Sequence, residues 1–310
     1  AVQQVDTFQG KDIQTWVYAQ DRDQGFYDFA VPTRDALEFY AALCDAPVDI
    51  VYLGEVVCSK RRVLQREDWP MVAQALTDAG KEVVFSTLAL IEAESELATM
   101  ARITDSAGGC VEANDMAAVQ YSAGRPFVAG PHLNIYNEAT LGMMAAHGAR
   151  RWVAPVEIPL TTIATLGATR PPGLEIEVFA YGRLPLAFSA RCFTARAQNR
   201  PKDECGFICG DYPDGITLYS RDHQPFLTLN GIQTQSAAVQ NLLPHSDALR
   251  SAGVDILRLS PQSQDFPAVI RAFRAALDSA DAATRLPEPS LPGGYCDGYA
   301  RGEAGIDHAG

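Results

Sequence analysis

The chain has 310 residues, of which 47% are hydrophobic and 20% charged, with a net charge of −13. That composition belongs to a globular protein with room for one large α/β domain or two smaller ones. The acidic balance argues against a nucleic-acid binder, which carries a basic face. No apolar run approaches the roughly 18 residues that a membrane helix needs.

In chain order, residues 1–24 are polar and weakly patterned and read as an N-terminal extension without a signal-peptide pattern, and the first residue, Ala1, leads to the expectation that the initiator Met or more has been removed. Gly25 to Val31 is expected to form a first strand. Thr33 to Cys44 reads as a helix with Ala36, Leu37, Tyr40 and Leu43 on its apolar side. A repeating rhythm follows. Strands are predicted at 48–53, 82–86, 109–113, 126–129, 151–155 and 174–181, and helices at 68–79, 90–102, 115–123, 138–147 and 158–168. Several of these helices end on a glycine (Gly80, Gly124, Gly148). Residues 183–235 break the rhythm with a cysteine-bearing loop, a Pro-Asp-Gly turn at 213–215 and two short β-like runs, an inserted β-hairpin. The pattern resumes with a helix at 239–252, a strand at 255–259 and a helix at 266–279. Residues 284–310, rich in Pro and Gly, are expected to be an irregular tail.

Eight β-runs alternating with helices imply a parallel sheet. The predicted fold is a TIM-like (β/α)8-type barrel over residues 25–283, with an insertion at 183–235 after the seventh strand. An open doubly wound sheet is the alternative.

Seven cysteines, an odd number without a disulfide-framework spacing, fit the reducing cytoplasm. Cys44 falls on an apolar helix face, Cys110 in a strand and Cys296 in the tail. The other four, Cys58, Cys192, Cys205 and Cys209, sit among Arg, Lys, Ser and Gly, which is loop chemistry. Nearby cations favour thiolate, the form that binds metal. In a barrel, Cys58 follows the second strand and Cys192 the seventh, so both loops open on the C-terminal face. The four therefore read as one metal site, for which the spacing leaves zinc and an iron–sulfur cluster open. Tyr212 rules out a C-x3-C-x2-C loop. Arg61 and Arg191 adjoin these cysteines, where they balance charge, hold a substrate carboxylate or form surface salt bridges.

Tyr-Leu-Gly-Glu-Val-Val-Cys-Ser-Lys-Arg-Arg (52–62), Ser-Thr-Leu-Ala-Leu (86–90), Glu-Ala-Asn-Asp (112–115), Arg-Leu-Pro-Leu-Ala-Phe-Ser-Ala-Arg-Cys (183–192), Lys-Asp-Glu-Cys (202–205), Asn-Gly-Ile-Gln-Thr (230–234) and Arg-Leu-Ser-Pro-Gln (258–262) together resemble the UbiV-type family. This family lies within the collagenase-like peptidase superfamily. The resemblance runs from about residue 25 to 300. It implies a 4Fe–4S cluster on Cys58, Cys192, Cys205 and Cys209, and a heterodimer with a UbiU-like protein. It also implies a role in oxygen-independent hydroxylation of a quinone precursor during ubiquinone biosynthesis, with prephenate as an oxygen donor by analogy with RNA-hydroxylating relatives. Two alternatives stand beside it. One is RNA-base hydroxylation, against which the acidic charge weighs. The other is proteolysis by a cysteine paired with His132, His147, His223 or His245. H-E-x-x-H, G-x-S-x-G, P-loop and G-x-G-x-x-G motifs are absent.

Overall fold

The computed structural model describes residues 12–16, 31–61, 64, 68–106, 109–262, 266–279, 285–289 and 291–309. Its elements in chain order are β1 (Asp12–Trp16), α1 (Val31–Asp45), β2 (Ile50–Gly54), α2 (Asp68–Asp78), β3 (Glu82–Ser86), α3 (Glu94–Ser106), β4 (Cys110–Ala113), α4 (Met116–Tyr121), β5 (Phe127–Ala129), α5 (Glu138–Ala146), β6 (Ala149–Val153), α6 (Leu160–Ala168), β7 (Glu175–Phe188), α7 (Phe193–Ala197), β8 (Ile216–Tyr219), β9 (Pro225–Asn230), β10 (Gln233–Asn241), α8 (Ser246–Ser251), β11 (Ile256–Leu259), α9 (Phe266–Asp278), β12 (Tyr295–Cys296) and α10 (Gly298–Arg301).

β1 to β7 pair in sequence order, all parallel, and β11 pairs parallel with both β7 and β1. The ring of eight strands therefore closes, and the fold is a TIM-like barrel. Local signals agree with it. Asp115 caps α4 by accepting from the Ala117 amide at 2.7 Å, and Asn137 caps α5 by accepting from the Thr140 amide at 2.9 Å. α9 buries Phe266, Val269, Ile270, Phe273 and Ala276, one face of a 3.6-residue period. The main core lies between strands and helices, around Trp152, Phe127, Ile176 and Phe273. A second, smaller core of Ile50, Tyr52, Val84, Cys110, Val128, Val153 and Ile256 fills the barrel itself.

Three sequence expectations need correction. First, the strand before α1 is β1, inside the stretch read as an extension. The expected strand at 25–31 lies outside the described residues except for Val31, which begins α1. Polar β1 is recruited by backbone pairing with two neighbours, a tertiary effect that local composition does not signal. Second, the helix expected at 239–252 is reduced to α8. Residues 239–241 instead pair with β7 on one side, and Val239 and Gln240 with β12 on the other. Buried Ala237, Ala238 and Val239 suit a strand covered on both sides. Third, the tail is ordered between residues 291 and 309. Cys296 is fully buried, and Asp297 accepts from His245 Nε2 at 2.7 Å, from Arg301 Nε at 3.1 Å and from the Ala309 amide at 3.1 Å.

β7 continues past the barrel rim to Phe188, and this overhang pairs antiparallel with β10, which is extended by β9 and β8. The antiparallel flap stands on the C-terminal side and carries the turn at Pro213–Gly215. Among the described residues no helix is long and apolar enough to cross a membrane.

Candidate functional site

Parallel strands present their following loops on one face, and in barrels that face builds the site. Here it has two storeys, a buried polar layer inside the barrel and the cysteine loops above it.

The polar layer begins with charged residues at inward strand positions. Along the barrel the charges alternate: Glu82 and Glu175 bind Arg151; Arg151 and Arg258 flank Glu177; Arg258 reaches Glu112. Arg258 and Glu112 are fully buried and bonded at 2.7 Å, and Arg258 Nε also donates to Glu177. The Arg258 guanidinium lies over the Tyr52 ring at 4.2 Å, and the Tyr52 hydroxyl donates to Glu177 at 2.8 Å. Glu112 also accepts from Ser86 Oγ at 2.7 Å and from Asn114 Nδ2 at 3.0 Å. Burial pushes the Glu177 carboxyl up, against the pull of Arg258 and Arg151.

Asn114 closes this layer at the C-terminal end. Among the described residues its Oδ1 has no hydrogen-bond partner, and it faces Gly130. A Cβ at 130 would meet Asn114 and stand 2.9 Å from the Ala113 carbonyl oxygen, so this position requires glycine for close approach. His132 follows on the same loop, its ring edge-on to Phe188 with centroids 4.7 Å apart. Burial pushes His132 down to about 4, and the residue is neutral at physiological pH. Phe188 and Ala89 pack against the interior core, of which Val56 is a member.

The upper storey holds the cysteines. Cys58 lies in the turn after β2, where Glu55 Oε1 accepts the amides of Val57 at 2.7 Å and Cys58 at 3.2 Å. The same turn sends two cations across to the flap. Lys60 Nζ binds Asp203 Oδ1 at 2.5 Å and the Lys202 carbonyl at 3.2 Å. Arg61 Nη2 donates to Asn230 O at 3.0 Å and to Asn230 Oδ1 at 2.6 Å. Lys202 in turn binds Glu92 and the Ala190 carbonyl. Cys192 caps the short α7, its sulfur accepting from the Ala195 amide at 3.4 Å, and Phe193 and Thr194 are pinned to Gly231. Cys205 and Cys209 sit on a tight loop in which Gly206 and Phe207 both take left-handed backbone angles.

Two cations are thus common neighbours of the thiols. Burial raises the Cys209 thiol, while the Arg61 guanidinium, which hydrogen-bonds it, pulls the other way. Cys192 interacts with the same thiol. Burial likewise raises Cys58, opposed by the Lys60 amide and by Arg61, and Lys60 feels both Cys58 and Cys205. Among the described residues no three His, Cys, Asp or Glu side chains stand in the arrangement of a cation site. All four sulfurs lie on loops, with Lys60 and Arg61 beside Cys58 and Cys209, and burial outweighs those cations and raises both thiols.

The other expected residues divide. Arg61 is engaged with Asn230, Glu55 and Cys209, and its side chain is 5% exposed. Arg191 is exposed at the rim. Cys110 accepts from Arg150 Nε at 3.1 Å low in the barrel, far from the mouth, and Cys44 turns its thiol to the Tyr40 carbonyl of its own helix. Glu112, Asn114 and Arg258 have no assigned role in the sequence reading, and His132 enters it only as a candidate partner of a cysteine nucleophile. The available signal was an ionisable residue within a short apolar strand, as in Cys-Val-Glu-Ala and Ile-Leu-Arg-Leu.

Among solved structures, the chain is similar to dihydropteroate synthase from Anaplasma phagocytophilum with bound 6-hydroxymethylpterin-monophosphate. That match has 12% identity and a TM-score of 0.43 and covers 88% of this chain and 99% of that one. It is also similar to a Plasmodium falciparum HPPK-DHPS variant, with 11% identity and a TM-score of 0.41, covering 88% of this chain and 46% of that one. The model of peptidase family U32 matches residues 35–293, nearly the whole barrel together with the flap that carries Cys192, Cys205 and Cys209, and the chain belongs to that family.

Proposed function

We propose that this protein is an iron–sulfur subunit of oxygen-independent ubiquinone biosynthesis. It works in the cytoplasm as a heterodimer with a UbiU-like protein to hydroxylate a quinone precursor, with prephenate as the oxygen donor. Cys58, Cys192, Cys205 and Cys209 would hold one 4Fe–4S cluster. Held by four thiolates, such a cluster supplies electron transfer and leaves no iron open for substrate.

The observation that carries the reading is the pair of ties from Lys60 and Arg61 to Asp203 and Asn230, which holds the Cys58 turn against the segment bearing the other three cysteines. The chain's own residues then have defined tasks. Lys60, Arg61 and Lys202 offset the negative charge of ionised thiolates. The sequence resemblance adds the pathway and the partner.

Proteolysis is not the reading we adopt. Cys296, beside Asp297, has a thiol pushed up by burial to about 12, the opposite of an activated nucleophile.

Anaerobic purification with iron and sulfide analysis tests the cluster, and quinone content in a deletion strain tests the pathway. We expect about four irons per chain. Ubiquinone should be lost on deletion under anaerobic growth and kept in air, with Cys192→Ala repeating the anaerobic defect. Stoichiometric zinc without iron would overturn the cluster. Normal anaerobic ubiquinone in the deletion strain would overturn the pathway and favour RNA hydroxylation.

A further inference from the structure

We infer that Arg191, Arg196 and Arg200 form the docking rim for a small acidic electron-carrier protein of the ferredoxin or flavodoxin class. The inference rests on the cluster reading above.

Between Ser189 and Lys202 the chain carries four cations and no anion, in a protein of net charge −13. Lys202 is engaged with Glu92, whereas the three arginines are exposed. Each is fixed to the backbone around a cysteine. Arg191 precedes Cys192, and its amide donates to Ser189 Oγ at 3.1 Å. The Arg196 amide donates to the Cys192 carbonyl at 3.0 Å. The Arg200 guanidinium donates to the Cys205 carbonyl at 3.3 Å. It lies directly over Gly206, where a Cβ would stand 2.9 Å from Arg200 Nη1. Cys192 and Cys205 are themselves only partly buried, so a partner seated on the rim is separated from them by little protein.

Charge selects the partner. Most of this acidic surface repels another acidic protein, and the rim attracts it, so long-range forces orient the encounter with the cysteine loops facing the carrier. Such redox encounters use small, weak, charge-steered interfaces. The three guanidiniums project from a strand end, a helix end and a loop, a spread that suits a protein face better than one small carboxylate.

The test is calorimetric binding of two probes, a plant-type [2Fe–2S] ferredoxin and a flavodoxin, to anaerobically purified protein. The variants are Arg191→Glu/Arg196→Glu/Arg200→Glu, the milder Arg191→Gln, and a control, Arg271→Glu/Arg285→Glu, at exposed arginines outside this segment. We expect one or both probes to bind at about 50 mM salt and to weaken at least about tenfold near 300 mM, as screening predicts. The triple variant should lose at least about tenfold, Arg191→Gln should lose less, and the control should change little. Iron content is measured on every sample and reports the cluster separately from docking. Iron-free wild-type protein sinks the cluster reading. Iron-loaded protein that binds neither probe at low salt, or that binds equally well in the wild type and Arg191→Gln, or in the control and the triple variant, overturns the docking rim.

Discussion

Arg258 sits between two buried carboxylates, and its replacement gives the sharpest test of the charge ladder. Two unit charges about 4 Å apart attract by about 4 kcal/mol at an effective dielectric of about 20. Removing one partner of a buried pair costs about 3–5 kcal/mol, because the other charge is stranded away from water. Arg258→Met removes the ion-pair partner of Glu112 and leaves Glu177 with the Tyr52 hydroxyl at 2.8 Å and the Arg151 cation at 4.0 Å, so a loss of about 3–5 kcal/mol is expected. Glu112→Gln keeps one acceptor for Arg258 but sets its amide against the Asn114 Nδ2 donor, with a loss of about 3 kcal/mol. The double variant no longer carries the stranded Glu112 charge. It should therefore be less destabilised than the sum of the singles by about 2 kcal/mol or more. Urea denaturation of all four proteins at neutral pH measures this coupling. Additivity within about 0.5 kcal/mol would refute the claim that the two residues act as a pair.

Three further outcomes follow from other positions. His132, held neutral and pushed down to about 4, contributes stability that is complete above its unfolded value of about 6.5 and is lost as pH falls towards 4. His132→Phe should flatten the stability–pH curve in that window, and an unchanged curve would count against burial as the cause. Gly130→Ala should cost about 2 kcal/mol or more, since the methyl group meets Asn114 and a fixed backbone carbonyl; a melting temperature within a degree of the parent would contradict the close approach. Cys44→Ala, Cys110→Ala and Cys296→Ala should each leave the iron content of folded protein unchanged, and loss of iron in any of them would redraw the ligand set.

Much of the barrel was legible because alternation of strand and helix is a local pattern. β2 to β6, β11 and most helices lie close to where periodicity placed them. β1 was not legible, since its residues are polar and its partners are distant in sequence. The end of β10 departs from the expected helix because a run of small apolar residues suits a helix or a doubly covered strand equally well, and its pairing with β7 and β12 decides. The meeting of the Cys58 turn with the flap follows from strand count, since loops after parallel strands open on one side. The ladder from Glu82 to Glu112 was hidden for a different reason: a charged residue in a short strand looks like a solvent-facing one until the ring closes around it.

The closure of that ring sets a condition on how the chain is made. β1 rests between β2 and β11, and its partner Ile256 pairs with Asp12. During synthesis the first strand emerges long before the last. Until residue 259 leaves the ribosome, the incomplete sheet exposes the edges of β1 and β7 to any other chain nearby. Arg258, which neutralises Glu112 and Glu177, arrives on that same final strand. The barrel interior therefore stays electrostatically unbalanced until the strand that shuts it is in place. Barrel closure and charge neutralisation become a single late event, and a ribosome-stalled chain ending before Ile256 should be held by chaperones rather than folded.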